Sequence, residues 1–509
     1  MSTLRALTRN ISWNYVQAGV SLAVYFLLTP VVVGHLGDVG FGIWVLLRAI
    51  LFYLRFLDFG FHNALVKYVA EYGERRDWPT VNGLVATTTS VLCAAGAAAL
   101  LMSGVVALAV VPHAFHVPPD RVAELQLATV LLGVDLLIAF PASVLGAVFE
   151  GRQRFDVLSV VAIVGTIVCA VATAIVLELG YGILALVGIE IAGTLLTAVL
   201  FRLLLRRLEP EVRIGLGPVS GPTMRKIRGY STWTSLNEIL AEGGAEVEKL
   251  LIPVLLSVSL LTPYTLVCMV AAVIFLAIEP LTDAFFPLSS AYDAKDDQTR
   301  LRALLLRGTK IVMAISLPLA AAIVAYGGAF LVAWIGGEHV EVPPGVMPLI
   351  VTSFTVTAFI LTATTILLAL ARVKEVFYMG IAELGLAVLL VLVAVPRFGL
   401  RGLAGGLLAA NALITFAWIV PYVCRTLGQR AGEFLAQSLV LPLFAVLPMA
   451  AFMLWLEGQA PGASLPWLIF KSGLAGCVYL VAFYALSLTP AERRLCEGGI
   501  RDIVARASE

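Results

Sequence analysis

The sequence predicts an all-α, polytopic membrane protein of about 14 transmembrane helices: two six-helix lobes related by a parallel pseudo-twofold repeat, plus two further helices at the C-terminal end. Three observations predict it. Mean hydropathy is +0.97 over 509 residues of which only 13% are charged, more apolar surface than a soluble core needs. That surface is divided into stretches of about 20 residues, the length that crosses the hydrocarbon as a helix. The pattern of the first stretches also recurs in the middle of the chain.

Taken in order, the expected spans fall near 12–33, 39–61, 83–111, 125–148, 157–178, 181–203, 231–256, 262–287, 311–335, 346–370, 376–395, 402–422, 437–456 and 467–488. The stretches are continuously apolar and do not alternate, which favours helices over a barrel. Arg5 and Arg9 precede a full-length apolar segment without an Ala-x-Ala site, so the first span is expected to be permanent. Placing the N-terminus inside puts 27 of the 34 Lys and Arg residues on the cytoplasmic side, against Arg121, Arg397 and Arg401 outside. Both termini are then cytoplasmic. Between spans six and seven, residues 206–229 carry Pro210, Gly215, Gly217, Pro218, Gly221 and Pro222 and read as a linker. The expected domains are a first lobe at 1–205, the linker at 206–229, a second lobe at 230–424, and two additional helices with a tail at 425–509. Residues 296–310 place leucines on one face and arginines on the other, as an interfacial helix or the solvated start of span nine would.

Composition excludes several classes of function. A net charge of +1, with basic residues confined to short connections, argues against nucleic acid as a partner. The six cysteines show no paired metal spacing and the five histidines are scattered, so neither a structural metal nor a cofactor is expected. Asp293, Asp296 and Asp297 form an acidic cluster without a folded domain around it, and the outside loops are too short for a membrane glycosyltransferase or polymerase. No P-loop is present, which argues against ATP as the energy source and against an enzyme.

The repeat aligns Ser12 with Ser235, Asn14 with Asn237, Leu27 with Leu250, Pro30 with Pro253 and Phe41 with Tyr264, then Asp58 with Asp283 after a two-residue adjustment. Each copy starts on the same side of the membrane, so the repeat is parallel and two facing lobes are expected to leave a central cleft. The opening NISWNYVQAGVSLAVYFLLTPVVVGHLGDVGFGIWVLL, the LDFGFHNALVKYVAEY that follows, Glu150-Gly151-Arg152-Gln153-Arg154, Trp334-Ile335-Gly336 and Ala371-Arg372-Val373-Lys374 resemble the landmarks of Wzx-type polysaccharide flippases. Those flippases share a superfamily with drug extruders and lipid II flippases. The resemblance implies alternating access in a bacterial cytoplasmic membrane, moving an undecaprenyl-diphosphate-linked oligosaccharide outward. Its implied partners are that polyprenyl-diphosphate-linked glycan, membrane lipid, and H+ or Na+, with the protein working as a monomer. Spans thirteen and fourteen are expected to pack peripherally and form a groove for the polyprenyl tail.

Charges inside spans are costly unless they face a partner or a cavity. Glu238, Glu242, Glu246 and Lys249 share one face of span seven beside Gly243 and Gly244, either as a cavity-lining coupling site for a cation or proton or as a buried structural network. In span two, Arg48 near the midplane is the candidate for gripping a diphosphate, because a guanidinium donates in two parallel bonds and stays charged. Arg48 is expected to face a hydrated cleft with no buried partner to neutralise. Arg55 shares its face, and either joins it or pairs with Asp58 three residues on. Asn14 and Asn237, recurring in the repeat, complete the candidate substrate contacts. Asp135 and Glu190 lie near the midplane as alternative coupling sites, because a carboxylate taken out of water favours its neutral form. Asp58, Lys249 and Asp283 form the expected charge-pair network, and Lys471 near an outer end is expected to snorkel. The competing function is a cation-coupled extruder of drugs or metabolites, which needs acidic and aromatic walls where a diphosphate carrier needs arginine.

The charge asymmetry makes a direct prediction. In intact cells, a single cysteine introduced at Gly217 is shielded from a membrane-impermeant maleimide and one at Gly345 is labelled. Reversed labelling at both positions would overturn the orientation.

Overall fold

The computed structural model describes residues 2–218, 243–244, 246–336, 341–459, 462, 464–490 and 492–494, with side chains at 13 and from 16 onward. Among these residues, eleven helices are long and apolar enough to cross a membrane. Two of the eleven stretches, Val16–Asp58 and Val373–Leu427, each contain a pair of the expected spans. The pairs turn at Gly37 (φ 65°, ψ −178°) and Gly399 (φ 56°, ψ −133°), a left-handed conformation that glycine enters without a Cβ penalty. Span seven begins in residues 219–242, outside the described residues. The eleven stretches are therefore consistent with about 14 helices, and the protein is an all-α, multi-pass membrane protein.

The chain divides into two compact units, Met1–Thr262 and Pro263–Glu509. The first contains α1 (Ser2–Arg55), α2 (Phe61–Glu74), α3 (Trp78–Val105), α4 (Pro119–Gly151), α5 (Phe155–Glu178) and α6 (Ile183–Leu208). Asp77 caps α3 by accepting the Thr80 N–H at 3.2 Å and its hydroxyl at 2.6 Å. Small residues bring α3 and α4 together, since a Cβ on Gly133 would stand 1.9 Å from Ser103 Oγ. This is how helices gain dispersion contact in lipid, where apolar burial no longer distinguishes helix from solvent.

The described half of the linker is tied to α3. Asn82 Nδ2 donates to Glu211 O at 3.0 Å, Asn82 Oδ1 accepts Arg213 N–H at 2.8 Å, and Ser90 Oγ exchanges bonds with the Gly217 backbone at 2.9 and 3.1 Å. These side chains satisfy backbone groups of a stretch that has no ladder of its own. A side chain at Gly217 would meet Ala86 Cβ at 2.8 Å, and Gly345 holds φ +84°, so exposed Gly215 and Glu341 are the better labelling positions.

In the second unit, α7 (Val273–Asp293), α8 (Gln298–Ile335), α9 (Val346–Ala369), α10 (Val373–Ile414) and α11 (Val420–Leu427) pack around Leu301, Met313, Phe359, Ile366 and Val423. The basic segment at 296–310 is not a separate surface helix: Asp297 caps it through the Arg300 N–H at 3.0 Å, and it runs on as the start of α8. α12 (Val446–Gln459) and α13 (Leu465–Leu486) pack beside α8 through Met449, Met453, Tyr479 and Tyr326. One device recurs in both units. π-helical turns at Val106–Val110, Thr415–Ile419 and Ala436–Val440 each stand just before a proline, Pro112, Pro421 and Pro442. Proline brings no N–H to the ladder, and the widened turn lets the helix cross it unbroken.

Past the last span, Thr489 and Glu492 form a reciprocal cap, with Glu492 Oε2 accepting the Thr489 N–H at 2.8 Å and hydroxyl at 2.9 Å. The same oxygen accepts Lys310 Nζ at 2.8 Å, and Lys310 is 3% exposed. Burial pushes the Glu492 carboxyl up, but the bonds from Lys310 and Thr489 outweigh it and hold it below the usual glutamate value. A depressed value in the folded state contributes stability above the unfolded pKa, and that stability is lost as pH falls through the folded one. Glu492→Gln should therefore lower the unfolding temperature at neutral pH. Its difference from the parent should vanish as pH falls from about 5 to about 3, followed by thermal unfolding in detergent. A difference independent of pH would refute the charge assignment.

Candidate functional site

The first unit contains a polar pocket of about 620 Å³ between α1, α4, α5 and α6. α1 presents Trp44, Arg48 and Arg55 to it, α4 presents Asp135, and α6 presents Glu190. Arg48 and Trp44 lie one turn apart, and the guanidinium sits over the indole at 5.9 Å. Arg48 Nη1 donates to Glu190 Oε1, an ion pair between residues 142 positions apart. The expectation that Arg48 has no partner to neutralise is thus corrected: a guanidinium within the span is held by a carboxylate within the span.

Asp135 is 2% exposed. Its Oδ1, and Oε2 of Glu190, are buried oxygens with no hydrogen-bond partner among the described residues. Arg55, Asp135 and Glu246 all lie within electrostatic reach of Arg48. The pocket thereby gathers Arg48, Arg55, Asp135 and Glu190, four of the residues singled out from the sequence.

Other expected residues fall elsewhere. Glu246 and Lys249 pair at 2.5 Å on the described part of span seven, and Tyr53 Oη donates to the Gly243 carbonyl at 2.6 Å. The Asp58 carboxylate is not bridged to Arg55, and it accepts the Gly60 N–H at 2.8 Å. That bond closes the turn in which Phe59 and Gly60 adopt positive φ, a local reason for the Asp-x-Gly sequence. Asp283 is exposed on α7. Asn237, Glu238 and Glu242, and the side chain of Asn14, lie outside the described residues. Among the described residues no group of His, Cys, Asp and Glu has the arrangement to hold a metal.

The second unit holds an apolar groove of about 870 Å³ walled by α8, α9, α12 and α13, with Met313, Val324, Phe359, Phe416 and Met453 among its lining. Tyr326 and Glu457 stand in the same lining. Lys471, expected to snorkel, is instead fully buried. Its Nζ donates to Glu457 Oε2 at 2.6 Å and to the Gly462 carbonyl at 3.1 Å, and lies 4.9 Å from the centre of the Tyr326 ring. A lysine with a carboxylate, a carbonyl and an aromatic face around it does not need to reach the water.

A family described as "Polysaccharide biosynthesis protein" matches residues 36–344, more than half of the sequence. The chain belongs to this family. No curated protein matches it in sequence. Among solved structures, the chain is similar to an inward-facing multidrug resistance MATE family transporter of the MOP superfamily. The TM-score there is 0.64 at 14% identity, over 81% of this chain and 98% of that one. An outward-facing structure of such a transporter gives 0.53 at 14% identity, over 82% and 95%. A variant of the Vibrio cholerae MATE transporter VcmN gives 0.52 at 12% identity, over 84% and 98%. At these identities the likeness is one of fold, and the chain has the fold of those transporters.

Sequence reasoning missed two features of the site. Thr166 and Thr173 on α5 and Thr194 and Thr197 on α6 line the polar pocket. Their spacings of seven and three residues put each pair on one helix face, a signal legible in the sequence. The Lys471–Glu457 pair had no such signal beyond two charges near the ends of neighbouring spans.

That pair supports a test of its own. Glu457→Gln should destabilise the protein by about 1–2 kcal/mol, less than a fully buried pair would lose because Glu457 is half exposed. The double variant with Lys471→Met should recover most of the loss, since it removes the orphaned charge. Thermal unfolding of the two variants measures the coupling, and additive losses would refute it.

Proposed function

We propose that this protein moves a lipid-linked oligosaccharide, carried on undecaprenyl diphosphate, from the cytoplasmic to the outer leaflet of a bacterial cytoplasmic membrane by alternating access. The observation that carries the reading is Arg48, a guanidinium inside a spanning segment that lines a polar pocket beside Arg55. Such a group suits a diphosphate, which accepts its planar pair of N–H donors. The apolar groove of the second unit supports the same reading, because a polyprenyl chain needs an apolar trough of about that kind while its headgroup crosses. Membership of the polysaccharide biosynthesis family and the transporter fold agree with it.

In this reading Arg48 and Arg55, with Asn14 and Asn237, contact the headgroup. Asp135, Glu190 and the span-seven carboxylates Glu238, Glu242 and Glu246 serve H+ or Na+. The lobes 1–205 and 230–424 alternate about the cargo as one monomer, with the linker 206–229 and both termini in the cytoplasm. The second reading is a cation-coupled extruder of drugs or metabolites, favoured by the likeness to multidrug transporters and by the acidic pair Asp135 and Glu190.

Vesicles containing the reconstituted protein and a fluorescent polyprenyl-diphosphate glycan, with and without ion gradients, separate the two readings. Arg48→Ala should slow flipping about ten- to a hundredfold, equivalent to the roughly 1.5–3 kcal/mol of hydrogen bonds to a charged group. Arg48→Lys, which keeps a charge opposite Glu190, should recover part of the rate but not the paired donation. Glu242→Gln should leave glycan binding unchanged while removing any ion dependence. Wild-type flipping in Arg48→Ala would discard the diphosphate contact, and no flipping by the unaltered protein, together with efflux of cationic dyes, would discard the lipid reading for the extruder.

A further inference from the structure

We infer that Glu190 is an internal stand-in for the lipid diphosphate: it holds Arg48 when no diphosphate is bound, yields it when one arrives, and takes up a proton as it does so. The inference rests on the diphosphate reading above and specifies how that site is regulated.

Arg48 Nη1 already donates to Glu190 Oε1, so a diphosphate must displace or share that carboxylate to use the same edge of the guanidinium. The pocket already offers more acceptors than its donors fill, since Glu190 Oε2 and Asp135 Oδ1 are buried without a partner among the described residues. When Arg48 turns to the diphosphate, Glu190 and Asp135 are left lining one pocket with their shared cation engaged elsewhere. Two unpaired carboxylates in a low-dielectric pocket are costly, and protonating one removes the cost.

Glu190 is the one that loses its partner, and so the one that accepts the proton. Among the described residues, the titratable groups around the pair are Tyr25 and Arg55 on α1, Asp135 on α4, Cys169 on α5, and Glu246. Only Arg55 among them is a further cation, and it too is drawn to the diphosphate. The proton comes from solvent and bonds to a Glu190 carboxylate oxygen, while no bond of the lipid changes.

The sign of this coupling is distinctive. Proton and diphosphate bind together, whereas an exchanger makes proton and cargo compete for one carboxylate. Linkage is reciprocal, so acid must tighten diphosphate binding by the same factor as diphosphate tightens proton binding. The loaded site carries one negative charge fewer than it would with Glu190 ionised, and the headgroup, whose own charge is unchanged, is still driven outward by an inside-negative potential.

The test uses the full-length protein in detergent with farnesyl diphosphate as the probe, measuring equilibrium affinity against pH and proton uptake with an indicator dye in weak buffer. Wild type should take up about one proton per probe bound and bind more tightly as pH falls. Glu190→Gln should bind about tenfold more tightly at neutral pH, and the uptake and pH dependence that belong to Glu190 are those wild type shows beyond this variant, because the probe's own terminal phosphate also titrates. Asp135→Asn should take up less, since Glu190 then has no second carboxylate beside it, yet more than Glu190→Gln. Binding by wild type without proton uptake overturns the exchange and leaves the diphosphate reading standing, as does equal affinity in wild type and Glu190→Gln. Uptake that persists undiminished in Glu190→Gln also overturns it, by moving the proton to Asp135. No binding of the probe by wild type at any pH overturns the diphosphate reading and the exchange together.

Discussion

A charge within the hydrocarbon is stable only if a partner or a route to water compensates for its lost hydration, and the arrangement of this protein follows from that constraint. Arg48 meets Glu190, Lys471 meets Glu457, and Lys310 meets Glu492. Each pair joins different helical segments, so each fixes a tertiary contact that apolar packing in lipid would leave free to slide. Lipid tails compete with side chains for the same dispersion contacts, and specificity falls to the polar pairs and to small residues such as Gly133 that permit close approach.

The same medium governs the backbone. Every N–H and C=O in the hydrocarbon must be satisfied within its own segment, yet many of these helices contain proline. The π turns before Pro112, Pro421 and Pro442 keep the helices continuous, and the turns at Gly37 and Gly399 let consecutive spans change direction within a few residues. Widened or turned segments of this kind are also where a helix can change shape at low cost, which suits a protein read as alternating between two forms.

The described residues of each unit line a recess of different character. The pocket of the first unit sets four charges and four threonines among apolar walls, and the groove of the second is almost wholly apolar apart from Glu457, Tyr326 and two threonines. An amphipathic cargo with an anionic headgroup and a long hydrocarbon tail presents the same two chemistries. A small cationic drug presents only a part of them.

The sequence by itself determined the all-α membrane class, the positions of most spans and the candidacy of Arg48, Asp135 and Glu190. These follow from local physics: a stretch of about 20 apolar residues must span, and a charge within it must have a reason to be there. It also carried the Asp58-x-Gly60 motif, although the turn it forms is a matter of backbone geometry more than of charge. Tertiary structure alone decided which charges meet. Arg48 has Arg55 and Asp58 near it in sequence, yet its partner is Glu190 on another helix, and Lys471 is buried where its position in the span suggested a route to water. Helical periodicity fixes the face on which a side chain lies but not which neighbouring helix that face meets, and the partner of a buried charge depends on the second.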